Sequence, residues 1–136
     1  MRPSWDEYFL DIASAVSNRA TCPSRKVGAV LVNPETKAIL ATGYNGAPRG
    51  IDHCPDHDSG SPDCIAIHAE LNLLTNACFN GVSTRGATLY LTCTPCIQCA
   101  PHILNAGIGK VVCAEAYRSM DGYNYLFDHI DMRVGV

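Results

Sequence analysis

Apolar positions recur along the chain with two different periods, and the switches between them predict the elements. Trp5, Tyr8, Phe9, Ile12, Ala13 and Val16 fall on one face of a helix. Ser4 and Glu7 stand three residues apart ahead of that run, with Asp6 beside them, the arrangement of a capping box. The aromatic residues on this face read as core packing. A strand over 27–32 is apolar on both faces, Asn33-Pro34-Glu35-Thr36 turns it, and 37–44 returns as its antiparallel partner. Ile67, Leu71 and Leu74 restore the helical period, which Asn80-Gly81 ends. A strand over 87–92, a helix over 95–105 stopped by Ala106-Gly107, and a strand over 110–114 follow. A short helix over 122–129 and an edge strand over 132–136 complete the chain. Strands alternating with helices predict a layered α/β fold, a mixed sheet of four to five strands with helices on both faces.

Composition fits one domain: 136 residues, 47% hydrophobic and 17% charged, with enough apolar content to bury a core. A net charge of −3 argues against a protein that grips polymeric nucleic acid, which needs a basic face. No apolar run is long enough to span a membrane, and Met1-Arg2-Pro3-Ser4-Trp5 has no signal-peptide core, so a soluble cytoplasmic chain is expected. In that setting eight cysteines point to metal binding or plain burial more than to disulfides. The stretch 49–63 has no periodicity but holds His53, Cys54, Asp56, His57 and Asp58, with Cys64 just beyond, which suggests a loop pinned by a metal.

The chemistry concentrates in two short segments. Ile67-His68-Ala69-Glu70-Leu71 gives H-x-E, and Thr94-Pro95-Cys96-Ile97-Gln98-Cys99 gives P-C-x-x-C. A hydrolytic zinc needs three protein ligands and one open position, and His68, Cys96 and Cys99 supply an imidazole and two thiolates suited to that ion. Glu70, two residues from His68, is placed as a general base and then a general acid beside the metal. Pro95 suits the first position of a helix, which would put Cys96 and Cys99 one turn apart on one face. Either segment alone is weak, since a lone C-x-x-C is also a redox pair or half of a structural zinc site. A purely structural site has no use for Glu70.

These residues resemble the deoxycytidylate (dCMP) deaminases of the cytidine deaminase superfamily, whose zinc signature is H-x-E with P-C-x-x-C. The resemblance runs through Lys26-Val27-Gly28-Ala29-Val30, Gly43-Tyr44-Asn45-Gly46, His68-Ala69-Glu70-Leu71-Asn72, Pro95-Cys96-Ile97-Gln98-Cys99-Ala100 and Ala106-Gly107-Ile108. It implies the three-layer α/β/α fold of that superfamily and hydrolysis of dCMP to dUMP and ammonia. Hydroxide generated at the zinc would attack C4, while Glu70 carries protons from water to ring N3 and to the leaving amino group. Asn45 would contact the sugar, Val27 and Ala69 would border the base, and the Ala69 carbonyl with backbone near Pro95 and Cys96 would hold the exocyclic nitrogen. Ser24, Arg25, Lys26, Tyr117 and Arg118 match positions near the phosphate, with Arg25 and Arg118 the leading candidates because a guanidinium fork suits the oxygens.

The resemblance further implies a second, structural zinc on Cys22, Cys54 and Cys64, with His57 as fourth ligand and Asp56 or His53 as alternatives. It also implies a homo-hexamer with dCTP and dTTP as effectors near Gly43, Tyr44, Asn45 and Gly46. Cys78, Cys93 and Cys113 read as small apolar residues, and His102 and His129 as surface histidines. Competing readings are a deaminase of a free nucleoside or of adenosine in tRNA, and a non-catalytic zinc-binding module.

Overall fold

A computed structural model describes residues 1–22, 25–53 and 64–135. The element order is α1 (Trp5–Ser17), β1 (Gly28–Val32), β2 (Ile39–Tyr44), α2 (Ala69–Phe79), β3 (Thr88–Cys93), α3 (Ala100–Asn105), β4 (Lys110–Glu115), α4 (Asp121–Phe127) and β5 (Asp131–Val134). One five-stranded sheet runs in the order β2-β1-β3-β4-β5. β1 is antiparallel to both β2 and β3, whereas β3, β4 and β5 are mutually parallel. The sheet is therefore mixed, as expected.

Strand alternation divides the core between two faces. Val30, Val32, Tyr90 and Val112 pack against Phe9, Leu10 and Ala13 of α1. Ala29, Leu31, Leu89, Leu91, Val111 and Cys113 pack on the other face against Ala69 and Leu73 of α2, Ala100 and Ile103 of α3, and Leu126 of α4. This gives the three layers. The capping box forms as read: Ser4 Oγ accepts from the Glu7 amide at 3.1 Å, and Glu7 Oε1 accepts from the Ser4 amide at 3.2 Å. Asn80 caps α2 and Ala106 caps α3, each followed by a glycine at positive φ, Gly81 and Gly107.

Four expectations need correction. β2 starts at Ile39 and not at Lys37, because Lys37 closes the turn with φ 66° and its amide bonds the Asn33 carbonyl at 2.8 Å. Trp5 and Tyr8 are not core: Trp5 is 47% and Tyr8 43% exposed, and only Phe9 of the three aromatics reaches the sheet. Cys78 stands on the exposed side of α2 and is not apolar filling. α3 begins at Ala100, so Pro95 is not its first residue; 94–99 form a separate segment and turn ahead of it.

Candidate active site

α2 starts at the sheet edge where β2 ends, and its start carries two of the expected groups. His68 is the N-cap and Glu70 the second helical residue. The helix is held there by unusually close backbone approach. Gly43 of β2 lies so near the first turn of α2 that a Cβ would strike the Ala69 carbonyl and the Leu73 backbone. Asn72 Nδ2 donates to the Tyr44 carbonyl at 2.8 Å, and Gly46 and Ile67 exchange backbone hydrogen bonds. The glycines of Gly43-Tyr44-Asn45-Gly46 thus fix the start of α2 against β2, and Asn45 alone of the four lines the cavity of the site. Asn45 is 7% exposed; its Oδ1 accepts from the Val27 amide and its Nδ2 donates to the Arg25 carbonyl, both at 2.8 Å. A second lone pair and a second N–H of that amide remain for a ligand.

The other half of the site follows β3. Cys96 and Cys99 lie in the turn before α3, where the Cys96 carbonyl accepts from the amides of Cys99 and Ala100. Gly122 of α4 supports this turn from outside, close enough that a Cβ would meet the Pro95 and Cys96 backbone. Cys96 Sγ lies 3.2 Å and Cys99 Sγ 3.3 Å from His68 Nδ1. The three donor atoms fall within 4.8 Å of one another. Tetrahedral zinc with ordinary Zn–N and Zn–S bonds separates N from S by about 3.6 Å, so the set fits that ion closely.

Electrostatics favour a cation here. The Cys96 thiol is pushed down to about 4, chiefly by the hydrogen bond from Cys99 and also by His68. Cys99 is pushed up by the same sharing of one proton. His68 is raised by its hydrogen bond with Cys96. Glu70, 5% exposed, is raised by burial, which keeps a carboxyl poised to hold a proton.

A cavity of about 420 Å³ opens over these groups. It gathers Glu70, His68 and Cys96 with the predicted Arg25, Val27, Asn45, Ala69 and Tyr117. Cys22 and Cys64 also line it, their sulfurs 3.9 Å apart. Pro95, Arg118, Gly43, Tyr44 and Gly46 do not line it, although the Arg118 guanidinium lies 5.5 Å from the Tyr117 ring centroid. Ser24, Cys54, Asp56 and His57 lie outside the described residues.

Sequence reasoning missed Ala66, Cys93, Thr94 and Gln98 at this cavity. Cys93, expected as apolar filling, receives a hydrogen bond from Arg25 Nη2 at 2.9 Å. Its place as the last residue of β3, two before Pro95, was the available signal, because strand ends in such sheets face the ligand crevice.

A His-Cys-Cys donor set with a buried carboxyl beside it, at strand ends of a mixed α/β sheet, defines a zinc hydrolase site of the nucleobase-deaminase class. Over residues 3–115 the chain matches the family described as cytidine and deoxycytidylate deaminase zinc-binding region. It is 42% identical over 125 residues to the deoxycytidylate deaminase of Mycobacterium phage D29, covering 82% of this chain and 94% of that protein. It is 41% identical over 127 residues to the deoxycytidylate deaminase of Saccharomyces cerevisiae, covering 87% of this chain but 40% of the yeast protein. Among solved structures, the dCMP deaminase of cyanophage S-TIM5 in complex with dCMP and dUMP has a TM-score of 0.88 and 32% identity, covering 98% of both chains. This chain belongs to the cytidine and deoxycytidylate deaminase family.

Proposed function

We propose that this chain, as a single domain, hydrolyses dCMP to dUMP and ammonia. The observation that carries the monophosphate reading is Arg25. Its guanidinium lies in the cavity beside the donor set, 3.6 Å from the Tyr117 ring centroid. Among the described residues no carboxylate forms a salt bridge with it. A cation so placed is suited to a phosphate, with Arg118 and Ser24 as further candidates.

When bound by His68, Cys96 and Cys99, zinc supplies a Lewis acid that brings the proton of water within reach of a base at neutral pH. Glu70 takes that proton and delivers it to ring N3, then takes the second proton from the hydroxyl added at C4 and passes it to the amino group, which leaves as ammonia while C4=O forms. Water oxygen adds at C4 and the C4–N bond breaks, so one water is consumed for each ammonia. Val27 and Ala69 border the base, Asn45 faces the sugar, and the Ala69 carbonyl with backbone near Pro95 and Cys96 takes the exocyclic nitrogen. The raised pKa of Glu70 suits it to the second, acid role.

The same reading extends to a second zinc on Cys22, Cys54, Cys64 and His57. Support comes from the 3.9 Å between the Cys22 and Cys64 sulfurs, since two thiolates on one tetrahedral zinc stand about 3.8 Å apart. It extends also to a cytoplasmic homo-hexamer with dCTP and dTTP as effectors at Gly43, Tyr44, Asn45 and Gly46. No helix among the described residues is long and apolar enough to cross a membrane.

The test is ammonia release from dCMP, deoxycytidine and dCTP side by side, with zinc counted in the same sample. Turnover of dCMP in preference to the other two, with two zinc per chain, is expected. Preference for deoxycytidine would remove Arg25 from phosphate binding, and one zinc per chain would remove the second site.

A further inference from the structure

We infer that Thr94 is the positioning residue that sets selectivity for the monophosphate over the free nucleoside, by fixing Tyr117 beneath Arg25. The inference rests on the phosphate reading of Arg25 above. Thr94 is a polar residue only 2% exposed, between the end of β3 and the turn that carries Cys96. Its backbone faces the end of β4 and its side chain the segment that follows. Its amide donates to the Glu115 carbonyl at 3.0 Å, continuing the parallel pairing of Cys93 with Glu115. Its Oγ1 accepts from the Tyr117 amide at 2.8 Å.

That second bond fixes the aromatic ring on which the Arg25 guanidinium lies. Tyr117 follows the strand, and its amide has no ladder partner of its own; the threonine hydroxyl takes the partner's place. The ring so placed meets the Arg25 guanidinium at 3.6 Å, and Arg25 Nη2 meets Cys93, the neighbour of Thr94. One side chain therefore sits between the metal-ligand turn and both contacts that orient the arginine. A guanidinium on a flexible stem loses rotamer freedom when it grips an anion, and a fixed ring beneath it removes part of that cost beforehand. Substrate lacking phosphate gains nothing from this arrangement, so the effect belongs to binding of the monophosphate and not to chemistry at C4.

The experiment compares wild type, Thr94→Val and Thr94→Ser on dCMP and deoxycytidine, with zinc counted for each. Valine matches the shape of threonine but cannot accept the Tyr117 amide; serine can. Expected for Thr94→Val is a KM for dCMP raised roughly tenfold, the worth of one hydrogen bond, with kcat within about threefold and zinc retained. Selectivity for dCMP over deoxycytidine falls by the same factor, and Thr94→Ser restores it. Should Thr94→Val fail to fold, Thr94→Ala repeats the measurement without the branched methyl. Unchanged selectivity in a zinc-loaded variant would overturn the inference while leaving the dCMP reading intact. Loss of zinc with equal loss on both substrates would overturn it too, by assigning Thr94 to the ligand turn. A wild type that prefers deoxycytidine would instead overturn the phosphate reading itself.

Discussion

Glu70 and Tyr90 show how burial gives single side chains their roles. Glu70 lies at the start of α2 in an almost closed position, where the neutral carboxyl is favoured over the charged one. Glu70→Ala should keep the fold and the zinc while turnover of dCMP drops by about 10²–10⁴, the usual worth of a positioned acid–base group. Metal analysis with an ammonia assay checks this, and retained turnover would strip Glu70 of its role. Tyr90 faces α1, and its hydroxyl donates to Asp6 Oδ1 at 2.7 Å. Burial first, and then that bond, raise its pKa well above the ordinary 10.0. A raised acid pKa favours the neutral phenol in the folded state. The stability it contributes is complete below the unfolded pKa and is lost as pH rises through the folded value. Melting temperatures of wild type should thus fall more steeply between about pH 9 and pH 11.5 than those of Tyr90→Phe. Parallel curves would show that this hydroxyl has no such part.

At the scale of elements, α2, α4 and the turn before α3 are placed by close backbone approach as well as by buried side chains such as Leu73 and Leu126. Gly43 admits α2 to the end of β2, and Gly122 admits α4 to the Pro95–Cys96 turn. A methyl at Gly122 has only backbone to push against, and backbone in a ligand turn cannot yield without moving Cys96. Gly122→Ala should destabilise the protein by about 1–3 kcal/mol and speed loss of zinc to a chromophoric chelator. Wild-type rates of zinc transfer in that variant would mean the turn is positioned by something else.

Taken as a whole, the molecule leaves several large apolar side chains in solvent. Trp5, Tyr8, Phe79 and Phe127 are each at least 43% exposed, on α1, α2 and α4. The proposed hexamer would cover groups of this kind with further copies of the chain. Sedimentation should give a particle of six chains, each 14.6 kDa. A particle of one chain would end the oligomer proposal.

What the sequence by itself determined was local. Capping at Ser4 and Glu7, the stops at Asn80-Gly81 and Ala106-Gly107, and the period of each strand follow from interactions within a few residues, so they were legible without a fold. The donor types were legible for a similar reason: His68, Glu70, Cys96 and Cys99 are recognised by chemistry and short spacing. Only the tertiary structure decided what joins across the chain. His68 and Cys96 meet although 28 residues separate them. Pairing of β3 with β4 brings Thr94 to Tyr117, and through Tyr117 to Arg25, contacts that no periodicity encodes. The same holds for burial. Trp5 and Tyr8 share the apolar face of α1 with Phe9, but the sheet is reached only by Phe9, because a helix touches a twisted sheet along a strip narrower than its apolar face. Local pattern states which residues can be buried or can ligate; the packing of distant strands and helices selects those that are.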